Sequence, residues 1–494
     1  MSNLIDLTLH DEKKLENAIQ RAKEQKIIIP TFRQMINPEE IPQSIVKRLG
    51  DVGLWDLNPL NLFRINWHNE PVASGGGFGG VNYLVLPREL TGIDARIIIL
   101  LGKWFPTGAH KVGAAYACLV PRLVTGQFDP TVQKAVWPST GNYCRGGAYD
   151  SNLLACDSIA ILPEGMSQER FAWLAEVAGE TIKTPGSESN VKEIFDKCWE
   201  LRNSGQKLSI FNQFDEFGNY LWHYEVTSRA MIEALNQVMQ PGDRFRATVS
   251  NTGSGGTIAC GDYLKEQFPL SKIVASEALQ CPTLLNNGFG AHRIEGIGDK
   301  HVPWIHNVKN TDVVTAIDDN APMGLIRLFN EPVGQEYLVS QGVSADLVDQ
   351  LPLMGISSVA NVLAAIKTAK YYEMDAQDVI ITVATDSMEM YQSRLTELAA
   401  EEGELTAQDA AAVFHRYMLG ETTDNMQELT YTDRKRIHNL KYFTWVEQQG
   451  KTFEEIQAQW YEHDYWTSIH DSMAEIDSLI DEFNNRTGLL QELG

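Results

Sequence analysis

The chain has 494 residues, with 41 lysines and arginines against 65 aspartates and glutamates, a formal charge of 41 − 65 = −24. A 43% hydrophobic and 21% charged composition belongs to a folded globular protein and argues against disorder or a long coiled coil. Such acidity repels nucleic acid and anionic membranes, although a nest of backbone N–H groups can still hold a small phosphate.

In chain order, the start (Met1-Ser2-Asn3-Leu4) lacks a basic segment followed by an apolar one, so no signal peptide is expected. No apolar run reaches about eighteen residues, so no membrane span is expected either. Residues 1–90 read as an extension, with a helix near Asp11–Lys26 followed by a loop-rich stretch. The run Ser74-Gly75-Gly76-Gly77-Phe78-Gly79-Gly80 lacks the Gly-Lys-Ser/Thr ending of a nucleotide P-loop and reads as a turn. From residue 91 the texture changes. Short β-rich runs (Ala95–Leu101, Ser158–Leu162, Arg246–Val249, Lys272–Ser276, Asp378–Ala384) alternate with helical stretches (Gln168–Ala178, Val191–Asn203, Tyr220–Met239, Ile258–Gln267, Val359–Tyr372). This alternation predicts an α/β core with a mostly parallel sheet. After Arg394 the strand signal almost vanishes, and residues 395–494 predict a helical extension rich in acids and aromatics. Its aromatic residues could pack on the core or meet a partner. The six cysteines (Cys118, Cys144, Cys156, Cys198, Cys260, Cys281) form no Cys-x-x-Cys pair and read as reduced thiols of a cytoplasmic protein. His292, His301 and His306 lack metal-ligand spacing, so no metal site is expected.

Four segments carry the chemistry. In Phe105-Pro106-Thr107-Gly108-Ala109-His110-Lys111 a turn feeds a helix that starts with a lysine. The positive end of the helix dipole disfavours an ammonium there, which suits a reactive amine, although a solvated lysine is the simpler reading of this segment alone. At Trp137-Pro138-Ser139-Thr140-Gly141-Asn142-Tyr143, 142 − 111 = 31 residues on, small hydroxyls and an asparagine follow a strand end. Such a cluster holds a carboxylate or caps a helix. Ser250-Asn251-Thr252-Gly253-Ser254-Gly255-Gly256-Thr257 joins a strand to a helix; Ile258 breaks the dinucleotide pattern, leaving a single phosphate or a plain tight turn. In Gly355-Ile356-Ser357-Ser358, just before a helix expected from Val359, a serine either caps the helix or reaches a ring nitrogen.

In this order and at these separations, the four segments resemble the pyridoxal-phosphate enzymes of the tryptophan-synthase-β-like fold (fold type II), nearest to the cysteine synthase and cystathionine β-synthase family. Ile210-Phe211-Asn212-Gln213-Phe214, Glu295-Gly296-Ile297-Gly298 and Thr385-Asp386-Ser387 are similar too. The resemblance covers residues 91–394. It implies a two-domain catalytic core, with a smaller movable subdomain over about residues 133–212, and pyridoxal 5′-phosphate as cofactor. Lys111 would carry the cofactor as an internal aldimine and take the substrate Cα proton. Gly253, Ser254, Gly255, Gly256 and Thr257 would bind the 5′-phosphate, Asn142 the 3′-oxygen, and Ser357 would face the pyridine nitrogen. Ser139, Thr140, Asn142 and the backbone at Tyr143 would clamp the substrate carboxylate, helped by Gln213 or its neighbour Asn212.

A neutral hydroxyl at the ring nitrogen makes a weaker electron sink than a protonated ring would, which favours loss of a β-substituent over transamination. The implied activity is β-elimination or β-replacement on a small L-amino acid (cysteine, serine or an O-activated serine) through an α-aminoacrylate aldimine. The alternatives are a deaminating lyase, a tryptophan-synthase-β-like synthase using a larger nucleophile, or a non-catalytic regulatory scaffold that binds the cofactor. His110, Tyr143 and Val359 depart from the family pattern, as does the missing Asn-Thr-Pro-Leu stretch. A homodimer is implied, with the extensions as its interface or as a lid over the site.

Overall fold

A computed structural model describes residues 4–71 and 74–492; Met1-Ser2-Asn3 lie outside the described residues. In chain order the strands are β1 (Tyr83–Leu86), β2 (Arg96–Leu101), β3 (Lys134–Pro138), β4 (Asp157–Pro163), β5 (Glu180–Thr184), β6 (Leu208–Ile210), β7 (Arg244–Asn251), β8 (Lys272–Ala278), β9 (Val313–Ile317), β10 (Asp378–Ala384) and β11 (Met426–Glu428). They form a seven-stranded sheet, β1-β2-β10-β7-β8-β9-β11, and a four-stranded sheet, β5-β4-β3-β6. The small sheet is parallel throughout. The large one is parallel except for its edge strands β1 and β11.

Alternation along the strands explains the layering. Ile98 and Leu100 of β2 join one apolar cluster, whereas Ile97, Ile99 and Leu101 join the cluster on the opposite face. Val379 and Ile381 of β10 alternate with Ile380 between the same two clusters. A strand buried on both faces needs helices on both sides, and the helices Lys111–Val124 and Ile356–Tyr371 belong to opposite clusters. Among the described residues no single helix is long and apolar enough to cross a membrane.

The expected helix near the start runs Glu12–Glu24 and is capped by the Asp11 side chain. Ser74–Gly80 forms turns, with Gly76 O accepting from Arg64. The long helix expected over Tyr220–Met239 has a π-turn at His223–Thr227 between two α-helical pieces. Two short strands lie outside the expected core. β1 adds to the sheet ahead of residue 91, and β11 adds to it beyond residue 394.

The extensions join the main core. Leu15, Ile19 and Phe32 from one and Trp445, Ile469 and Phe483 from the other share its largest apolar cluster. They also bind each other: Asp477 accepts from the backbone N–H groups of Phe32 and Arg33, and the Asn484 amide bonds both the N–H and C=O of Ile29. Of the C-terminal aromatics, Trp445, Trp460 and Tyr465 are buried, while Phe443 and Tyr461 are exposed. All six cysteines are buried and unpaired.

Candidate active site

The carboxyl ends of β3, β7 and β10 lead into loops around one cleft, the place where α/β sheets present ligand sites. The cleft spans about 680 Å³, counted out to its open mouth. Lys111, Ser139, Thr140, Asn142, Tyr143, Gln213 and the whole stretch Gly253–Thr257 line it. Ser357 does not; its hydroxyl is 3.6 Å from where a Cβ on the cleft residue Gly296 would stand. The helix expected from Val359 begins at Ile356, so Ser357 and Ser358 occupy its first turn. The Ser357 carbonyl accepts from Asn251 at 2.6 Å. Asn212, the alternative to Gln213, turns its side-chain oxygen to the Phe214 N–H and does not line the cleft.

Lys111 starts the helix Lys111–Val124, and its Nζ donates to Ser254 Oγ at 2.9 Å. Desolvation pushes its pKa down to about 8, so a sizeable neutral fraction is present near neutrality. Behind it, His110 and His223 lie with ring centroids 4.8 Å apart, and burial holds both well below the usual histidine range. Two neutral imidazoles therefore line the lysine's base without adding charge.

The glycine loop is shaped for close approach. Gly255 has φ +77°, and a Cβ on Gly256 would come within 2.1 Å of Asn219 Oδ1. Ser254 Oγ accepts from both Lys111 and Asn219, which leaves its own O–H free to donate. Ser139 is prepared in the same way: its hydroxyl accepts from the Gly141 N–H at 3.0 Å and from Gln213 Nε2 at 3.3 Å.

Asn142 Nδ2 donates to Asp386 Oδ2 at 2.6 Å, and its buried Oδ1 has no partner. Asp386 also accepts from the Tyr391 hydroxyl at 2.6 Å, and burial raises its pKa against the pull of Arg170. Arg170 is fully buried, paired with Glu295 at 2.7 Å and donating to Tyr391 at 2.8 Å. This ties the small sheet's layer to the large one beside the cleft. Asp386, matched in sequence but equally a loop cap, is placed by this network.

Arg170, Glu188 and Asn219 were not marked by any periodicity or glycine pattern. Glu188 stands in the polar turn Pro185–Asn190, where nothing in the residue order says which wall it faces. Of the three histidines, His292 accepts from the Ile294 N–H, His301 bonds Asp299 and His306 bonds Thr311.

Residues 83–386, more than half of the chain, match the pyridoxal-phosphate dependent enzyme family, and the chain belongs to it. The curated relatives include a probable cysteine synthase of Bacillus subtilis, 28% identical over 60% of this chain and 89% of the relative. Cystathionine β-synthase of Saccharomyces cerevisiae is 27% identical over 63% of this chain and 60% of its own length. Among solved structures, cysteine synthase from Entamoeba histolytica superposes with a TM-score of 0.55 at 21% identity, covering 68% of this chain and 93% of that one. The fold is that of a type II pyridoxal-phosphate enzyme with a helical C-terminal region.

Proposed function

We propose that the cleft binds pyridoxal 5′-phosphate on Lys111 and acts at Cβ of a small L-amino acid, by β-elimination or β-replacement. The observation that carries this reading is the Lys111 amine, brought near neutrality and set on the same cleft as a glycine loop that precedes the helix Ala259–Gln267. The residues fit the cofactor. Gly255 and Gly256 leave room for a phosphate against the backbone, Ser254 has a free O–H to give it, and Asn142 Nδ2 has an N–H beyond the one given to Asp386. When bound, pyridoxal phosphate supplies an electron sink for a substrate amine condensed with it.

The chain's own groups do the rest. Lys111 Nζ takes the Cα proton and later returns one. Ser139 and Thr140, at the mouth of the helix Asn142–Leu153, donate to the substrate carboxylate, with Gln213 holding Ser139. A phenolate-like oxygen needs a donor; Asn142 Nδ2 gives one N–H to Asp386 and keeps a second for that oxygen. Ser357 is assigned to the ring nitrogen; its place beside Gly296 supports this.

Buried, unpaired thiols accord with a cytoplasmic setting, and a homodimer is part of the same proposal, tested by sedimentation. The principal test is borohydride reduction of the cofactor-loaded protein followed by peptide mapping. A pyridoxyl group on Lys111 is expected, and a label on any other lysine overturns the assignment. A change in visible absorption on adding serine, cysteine or O-acetylserine then identifies the amino acid used.

A further inference from the structure

The chemistry above leaves one cleft residue without a task. Glu188 lies in the turn between β5 and the helix Val191–Arg202, is 1% exposed, and lines the cleft together with Lys111 and Thr140. Its Oε1 accepts from the Gly296 N–H at 2.5 Å, whereas its Oε2 is buried with no partner. On its other side Glu188 lines a second cavity, shared with His292, Arg293, Arg394 and Glu397. A buried carboxyl oxygen without a partner costs stability unless a ligand meets it.

We propose that Glu188 is the general acid for the group leaving Cβ, so that the substrate carries an unactivated hydroxyl rather than an ester. This rests on the β-chemistry proposed above. Acetate departs unaided, but hydroxide is a poor leaving group and departs only as water. Lys111 Nζ takes the Cα proton, and the Cβ–O bond breaks with its electron pair on oxygen. The Glu188 carboxyl proton moves to that oxygen, releasing water and leaving a carboxylate. In replacement, an incoming Nu–H bonds to Cβ, its proton passes to the Glu188 carboxylate, and Lys111 returns its proton to Cα. Both groups are then restored. In elimination, the proton that Lys111 took from Cα passes through solvent to the Glu188 carboxylate, which restores both groups.

The surroundings favour the protonated form at neutrality. Burial and the charge of Glu295 push Glu188 up to about 8, against Arg170, the Gly296 N–H and the Thr140 hydroxyl. Lys111 and Asp299 line the same cleft, and Arg293, Arg394 and Glu397 stand on the second cavity.

The test compares L-serine with O-acetyl-L-serine in the holoenzyme, its Glu188→Gln variant and its Glu188→Asp variant. Glutamine keeps an acceptor for the Gly296 N–H but has no acidic proton. Its kcat/KM with serine is expected to fall at least about a hundredfold, with less than about threefold change for the ester. Aspartate should restore part of the serine activity. Serine turnover in the parent should decline as pH rises through about 8, and Glu188→Gln should lose that limb. In the cofactor-free protein, infrared spectra should show a protonated carboxyl that titrates in this range and is missing from Glu188→Gln. Equal losses on both substrates, no loss on serine, or a parent enzyme that uses the ester alone overturns the proposal. A parent that uses cysteine alone also overturns the proposal, and one that transforms none of serine, cysteine and the ester overturns the β-chemistry beneath it.

Discussion

The cleft and the seam under the C-terminal extension each place a lysine deep in the fold, with opposite results. Lys441 is fully buried, and its Nζ donates to Trp304 O at 2.8 Å, His306 O at 2.8 Å and Gln459 Oε1 at 2.6 Å. Three acceptors match the three N–H bonds of an ammonium, so the group is spent on structure. Lys111 meets one neutral hydroxyl and open cleft. Burial lowers both pKa values. Unused hydrogen-bonding capacity therefore separates the lysine proposed to hold the cofactor from the structural one, more than burial does. The two regions are also linked: Lys441 and Trp445 bond the backbone of Val302–His306, which follows the Gly296–Asp299 stretch of the cleft wall. Among the described residues no part of either extension lines the cleft; Lys441 and Trp445 reach the segment behind its wall.

The contrast can be broken most sharply at Lys111. Lys111→Ala should abolish covalent cofactor attachment and lower turnover by at least about a thousandfold, while thermal unfolding of the cofactor-free protein stays near the parent's. Lys441→Met should do the reverse. Three orphaned acceptors should shift the urea midpoint by an amount equivalent to about 2–4 kcal/mol, with kcat of the folded enzyme little changed. A smaller effect is expected at the phosphate loop. The Gly256→Ala methyl collides with Asn219, so the dissociation constant for pyridoxal phosphate should rise about tenfold, read by equilibrium dialysis. The mildest test needs no mutation. Only neutral Lys111 attacks an aldehyde, so cofactor attachment to the stripped protein should speed up as pH rises through about 8 and then level off. A rate flat across that range would make Lys111 no different from a surface lysine.

Where the residues carry their own geometric demand, the lining of the cleft was legible. A lysine opening a helix, a Ser-Gly-Gly turn after a strand and a Ser-Thr-Gly-Asn turn after another announce their shapes locally. The helix expected from Val359 starts three residues earlier, at Ile356, because helix starts depend on caps and here Gly355 is the last residue with extended backbone. β11 escaped because Met426-Gln427-Glu428 has no strand character of its own; it is a strand only because β9 offers an unpaired edge.

The deeper division is between demands met within a few residues and those met across the chain. Alternation of β-branched runs with amphipathic helices, the glycines with left-handed φ and the order of the four loops are local properties, so an α/β pyridoxal-phosphate core could be derived from residue order alone. Charge partners are not local. Arg170 reaches Glu295 and Tyr391, Asn142 reaches Asp386, and Lys441 reaches Trp304, over separations that no periodicity encodes. Only the folded chain decides which polar groups find partners, and hence that Lys441 is silent while Lys111 and Glu188 keep free valence at the cleft.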